Sequence, residues 1–113
     1  MQKLSLEAIA RDQLAAAAGS SSARASTTVF GGHEHALRQT VLALRAGAVL
    51  GEHANPGEAT LYVLSGRVEL TSTGETWQAR QGDLIIIPDT THSLRALEDS
   101  AVLLTAVPRA HIR

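Results

Sequence analysis

The sequence predicts an all-β sandwich or barrel preceded by one short α-helix, and three observations carry that prediction. From Thr27 onward, short β-branched and aliphatic runs alternate with Gly, Pro, Asn and Asp at about ten-residue intervals, a rhythm of strands and turns. Before that point the pattern is different: Leu6, Ile9, Leu14 and Ala17 recur at roughly helical spacing over residues 4–18. The chain has 113 residues, 44% of them apolar, which suffices for one core and hardly for two, so a single folding unit is expected.

Each element has a local reason. Ser5 is placed to cap the helix and Glu7 sits in its first turn, where a negative charge suits the exposed amide groups. Gly19 and the serines at 20, 21 and 22 end it and make a flexible connector, so residues 1–26 read as helix and linker and residues 27–113 as the β domain. Strands are expected at 27–30, 37–45, 49–53, 60–64, 67–71, 76–80, 84–87, 92–97 and 101–107. Ser65-Gly66 and Thr73-Gly74 supply tight hairpin turns. Gly47, Asn55-Pro56-Gly57, Gly82 and Pro88-Asp89 supply wider ones.

Charge and composition set aside several function classes. Ten basic and eleven acidic residues are spread along the chain, so neither a nucleic-acid partner nor an anionic membrane is suggested. Cysteine is absent, which excludes disulfides, thiolate metal sites and cysteine nucleophiles. Apolar stretches such as Leu84 to Ile87 are far short of the ~20 residues that span a bilayer, and the first residues do not resemble a secretory signal. A cytoplasmic protein is the expectation. There is no phosphate-binding glycine loop, dinucleotide fingerprint or nucleophile elbow.

The chemistry-bearing stretch is GEHANPGEATLYVLSG, residues 51–66. Alternate strand residues share a face, so His53 and Asn55 point together and, unless the Pro56-Gly57 turn resets the parity, Ala59, Leu61 and Val63 continue that face on the next strand, giving an interior polar at its mouth and apolar below. On the run 37–45, parity leaves two sets, Arg38 with Thr40 and Gln39 with Val41, and either Arg38 or Gln39 is a candidate ligand contact. Tyr62 is expected to face outward, under the helix or in an interface, and Trp77 to serve core or edge packing.

The spacing of Gly47, His53, Asn55, Ala59 and Gly66 resembles the first motif of the cupin superfamily, in which those places hold Gly, His, His, Glu and Gly. Gly82, Asp83, Leu84 to Ile87, Pro88 and His92 resemble the second, which supplies one more histidine. The resemblance covers about residues 37–107 and implies a double-stranded β-helix, a jelly-roll barrel. It also implies a homodimer and a pocket in which three histidines and a glutamate hold Fe, Mn, Ni, Cu or Zn.

Carried over residue by residue, only His53 and His92 keep their ligand places. Asn55 replaces a histidine and Ala59 replaces the glutamate, and the second motif is one residue short between Pro88 and His92. Two imidazoles and a neutral amide leave a dipositive ion uncompensated, so affinity falls unless a helper completes the shell. The candidate helpers are Glu58, His33, His35 and Asp89, besides Asn55 itself. The reading is a single-domain cupin that binds a small molecule near His53, Asn55, His92 and Gln39, its metal site incomplete. The alternative is a metal-dependent oxygenase or isomerase of a small organic substrate.

Overall fold

The computed structural model describes residues 1–54 and 57–112. Helix α1 (Leu6–Ala18) is followed by nine strands: β1 (Arg24–Phe30), β2 (Arg38–Leu44), β3 (Val49–His53), β4 (Gly57–Ser65), β5 (Arg67–Ser72), β6 (Glu75–Arg80), β7 (Leu84–Ile86), β8 (His92–Ala96) and β9 (Ser100–Pro108). They form two antiparallel sheets packed face to face, one ordered β1-β2-β9-β4-β7 and the other β3-β8-β5-β6, which is the jelly-roll arrangement. None of the described helices is long and apolar enough to cross a membrane.

Every expected strand forms, with its ends set by pairing. Two strands begin three residues early: β4 at Gly57, and β1 at Arg24, so Arg24, Ala25 and Ser26 belong to the sheet and not to the connector. Their partners explain this: Arg24, Ala25 and Ser26 stand opposite Leu44, Ala43 and Leu42. Only the serine run stays in the connector, where the Ser20 and Ser22 hydroxyls lie 2.9 Å apart. Ser5 caps α1 as expected, its hydroxyl accepting the Ala8 amide at 3.2 Å.

The main core lies between the sheets. Leu44, Leu61, Val63 and Val102 from one sheet meet Val68, Leu70, Leu94 and Ala96 from the other. A second, smaller cluster lies outside the first sheet, where Leu6, Ile9, Ala10 and Leu14 of α1 cover Val41 and Ala101. β2 is therefore buried on both faces. The inward positions are Leu42 and Leu44, and the outward ones are Val41 and Ala43.

The β4–β5 connection is a close approach that only glycine permits. Gly66 has φ of +84°, and a Cβ there would collide with the Ser100 hydroxyl and the Asp99 carbonyl. Ser100 is fully buried and satisfied: its hydroxyl donates to the Glu98 carbonyl at 2.7 Å, with the Arg67 carbonyl also within reach at 3.0 Å, and accepts the Arg67 amide.

Candidate functional site at the mouth of the barrel

The ladders stack the interior of the second sheet in rows. Ala96 and Val68 pair at the deep end, and Leu50, Leu94 and Leu70 form the row above. The next row is His53, His92 and Ser72, each directly opposite its neighbour on β3, β8 and β5. Apolar side chains thus fill the barrel, and its polar groups collect at one end. β2 and β3 are joined by the turn at 45–48, so Arg38 at the start of β2 and His53 at the end of β3 lie at this same end. Across the first sheet, Ala59 and Arg38 both pair with Ala106.

His53 and His92 pack edge to face, with centroids 4.3 Å apart and an interplanar angle of 65°. His92 is buried, 4% exposed, and His53 is open to solvent. Each ring is anchored through Nδ1, which donates to the Gly51 carbonyl at 2.9 Å in His53 and to the Thr90 carbonyl at 3.0 Å in His92. A carbonyl only accepts, so this contact puts the proton of the neutral ring on Nδ1 and leaves the lone pair on Nε2. Both histidines are therefore set as Nε2 acceptors or ligands.

Ser72 steadies the loop that orients His92. Its hydroxyl donates to the Thr91 carbonyl at 2.9 Å and accepts from the Thr90 hydroxyl, while Thr90 also receives the imidazole. The sequence reading did not single out Ser72. Its signal was available only through register, since Ser72 pairs with His92.

Among the described residues, the other expected site residues stand outside the row of His53 and His92. Gln39 shares the outward face of β2 with Val41, and its amide donates to the Thr105 hydroxyl at 3.2 Å, so it does not reach the mouth; Arg38 has the inward parity. Glu58 has the parity of Thr60 and Tyr62 and faces out of the barrel, because β4 extends back to Gly57 without a break in register up to Val63. His35 stacks on Phe30 at 4.7 Å and stands 3.8 Å from the Glu34 carboxylate, outside the row of His53 and His92. His33 lines a separate cleft beside Arg38. Asn55 lies outside the described residues. Asp89 pairs with Arg109 at 2.8 Å. Tyr62 faces outward beside α1 as expected, and Trp77 is an edge residue opposite Leu70.

This donor set does not fit the metal that the motif implies. Among the described residues no three His, Asp or Glu side chains converge. Ala59 fills the glutamate position with a buried methyl group, and Glu58 beside it points away. Two neutral imidazoles provide no charge to balance a divalent ion.

A two-sheet antiparallel barrel with paired histidines at one mouth defines a small jelly-roll protein. The Cupin domain family model matches residues 40–108, and the chain belongs to the cupin family. It is similar to a conserved protein of unknown function from Streptococcus pyogenes, 32% identical over 79% of this chain and 77% of that one, with a TM-score of 0.70. KdgF from a Halomonas species is 29% identical, covering 76% and 81% of the two chains with a TM-score of 0.65. An RmlC-like cupin protein from Desulfovibrio desulfuricans is 27% identical, covering 75% and 82%, with a TM-score of 0.66. A comparison with curated proteins finds no match.

Proposed function

We propose that this cupin binds a small organic molecule at the mouth of its barrel through the Nε2 atoms of His53 and His92, without a metal to mediate the contact, and that it does so as a homodimer. The observation that carries the reading is the anchoring of both Nδ1 atoms on backbone carbonyls, which presents two fixed acceptors side by side. Fixed imidazole acceptors recognise hydroxyl or amine donors, and the apolar row of Leu50, Leu94 and Leu70 beneath them closes the pocket floor against water. With His92 buried and His53 open to solvent, the ring pair suits a ligand of a few heavy atoms. Support for the dimer comes from the uncovered apolar surface of β4 and β7, where Tyr62, Leu84 and Ile86 are exposed.

The test joins metal analysis to ligand screening. Untagged protein purified without chelator is expected to carry transition metal far below one equivalent, and to remain so in His53→Ala. In a fragment screen read by the ring signals of His53 and His92, small hydroxyl-bearing fragments are expected to shift those signals, and the responses disappear in the His53→Ala, His92→Ala double variant. Near-stoichiometric metal that vanishes in His53→Ala would overturn the metal-free reading in favour of a metal-dependent site, and a library that leaves both rings unmoved would remove the binding reading itself.

A further inference from the structure

At the same end of the barrel as the histidine row, the inner side of β1 and β2 forms an open cleft of about 340 Å³ lined by Thr28, Gly31, Gly32, His33, Arg38 and Thr40. Thr28 and Thr40 are cross-strand partners, so two hydroxyls stand together on the inward face. Arg38 precedes Thr40 by two residues on the same face. Its aliphatic stem lies along the backbone of Gly31, where a Cβ would stand 3.4 Å from Arg38 Cγ, and Gly31 and Gly32 take φ of +149° and +142°, a backbone shape that other residues rarely adopt.

Arg38 shares with Arg11, Arg67 and Arg80 the lack of any ion pair among the described residues, whereas other arginines are engaged. Arg45, Arg95 and Arg109 are each paired with a carboxylate, and Arg24 donates to the Val49 carbonyl. Arg38 has no ion pair or side-chain hydrogen bond among the described residues, and neither Thr28 nor Thr40 has a side-chain partner there. No carboxylate lines the cleft. The Glu34 carboxylate lies at the rim, beside Gly32 and 3.8 Å from His35 Nε2. A guanidinium with unused donors, two free hydroxyls and an imidazole make a donor-rich, acceptor-poor surface that suits an anion.

We propose that the cleft is a carboxylate subsite in which Arg38, with Thr28 and Thr40, holds the acid group of the molecule whose remaining atoms meet His53 and His92. The inference deepens the barrel-mouth reading and rests on it, because Arg38 and His53 share one end of the barrel. A planar guanidinium held along its stem offers two parallel N–H groups, which match the two oxygens of a carboxylate. The ligand class is then a small organic acid carrying a hydrogen-bond donor.

The test is a titration of uniformly labelled protein with acetate, with the neutral isostere acetamide and with inorganic phosphate, read by the backbone amides of Gly31, Gly32 and Thr40. Acetate is expected to shift these amides saturably and acetamide to leave them in place. Arg38→Gln, which keeps the stem, is expected to weaken acetate binding about tenfold or more. Equal response to acetamide, an Arg38→Gln protein that binds acetate like the parent, or no response at all would overturn the proposal, and a phosphate response much tighter than that of acetate would overturn its carboxylate assignment. Arg38→Gln is also carried through the fragment screen at the histidine rings. Retained ring responses with lost acetate binding support the subsite, whereas an acetate-silent parent with intact ring responses removes the subsite and leaves the barrel-mouth reading standing.

Discussion

At the scale of single residues, Asp99 shows how one side chain fixes the closed end of the barrel opposite the histidines. Its carboxylate accepts the Ala46 amide at 2.8 Å and lies 3.3 Å from Arg45 Nε. The backbone hydrogen bond above all, partly opposed by desolvation and assisted by the Arg45 charge, holds its pKa below the ordinary carboxylate value. A depressed carboxylate pKa stabilises the fold above the unfolded value of about 4 and loses that contribution as pH falls through the folded value. Stability curves from pH 6 down to about pH 2 are therefore expected to show an acid-side loss that is smaller in Asp99→Asn; an unchanged slope in the variant would mean that the contact is irrelevant to acid stability. The same scale shows where sequence reading works. His53 and His92 were legible because motif spacing fixes which strand ends meet. Gln39 was misplaced because β2 is buried on both faces, by the barrel core inside and by α1 outside, so apolar residues of both parities surround it and alternation gives no sign of direction. Glu58 remained open as a helper because the turn at Pro56-Gly57 could have shifted parity, and the pairing of Gly57 with Pro108 settles it.

At the scale of elements, α1 is as much a part of the core as any strand. Its moderately apolar stripe lies on the outer face of the first sheet, with Ala10 and Ala17 buried, 6% and 1% exposed, and Leu6, Ile9 and Leu14 around them. That face is occupied, so the helix covers its own sheet and is not free to dock elsewhere by it. Ala10→Glu buries a charge against Val41 and Ala101 without a partner, and is expected to cost about 2–4 kcal/mol in urea unfolding while leaving the ring signals of His53 and His92 unchanged in the folded protein. A loss below about 0.5 kcal/mol, the range of ordinary surface changes, would show that the helix is only loosely attached. The helix was readable from Ser5, Gly19 and the spacing of its apolar residues. The early start of β1 was not, because Arg24 and Ser26 have no strand signal of their own and are drawn into the sheet by the partners that β2 offers.

At the scale of the whole molecule, the two outer faces of the barrel differ in how they are finished. α1 covers the β1, β2 and β9 side of the first sheet and stops short of its far edge, where Tyr62 and Leu84 are cross-strand partners and Ile86 follows on the same face. These three residues are 39%, 57% and 64% exposed, and β7, the edge strand they flank, is only three residues long. A contiguous apolar patch beside an unpaired edge is a liability in a lone barrel and an asset in an isologous pair, since the same patch on a second copy can cover it by a twofold operation. The barrel mouth opens at the end of the sheets, whereas this patch lies on their outer face, so pairing through it leaves His53 and Arg38 accessible. Light scattering on the eluting peak is expected to give twice the chain mass for the parent. Leu84→Glu with Ile86→Glu is expected to give the single-chain mass, with the acetate and fragment responses at the mouth retained. A parent protein that runs as a monomer at micromolar concentration, or a dimer indifferent to both glutamates, would move the interface off this face and leave Tyr62, Leu84 and Ile86 as surface whose exposure has no partner to explain it.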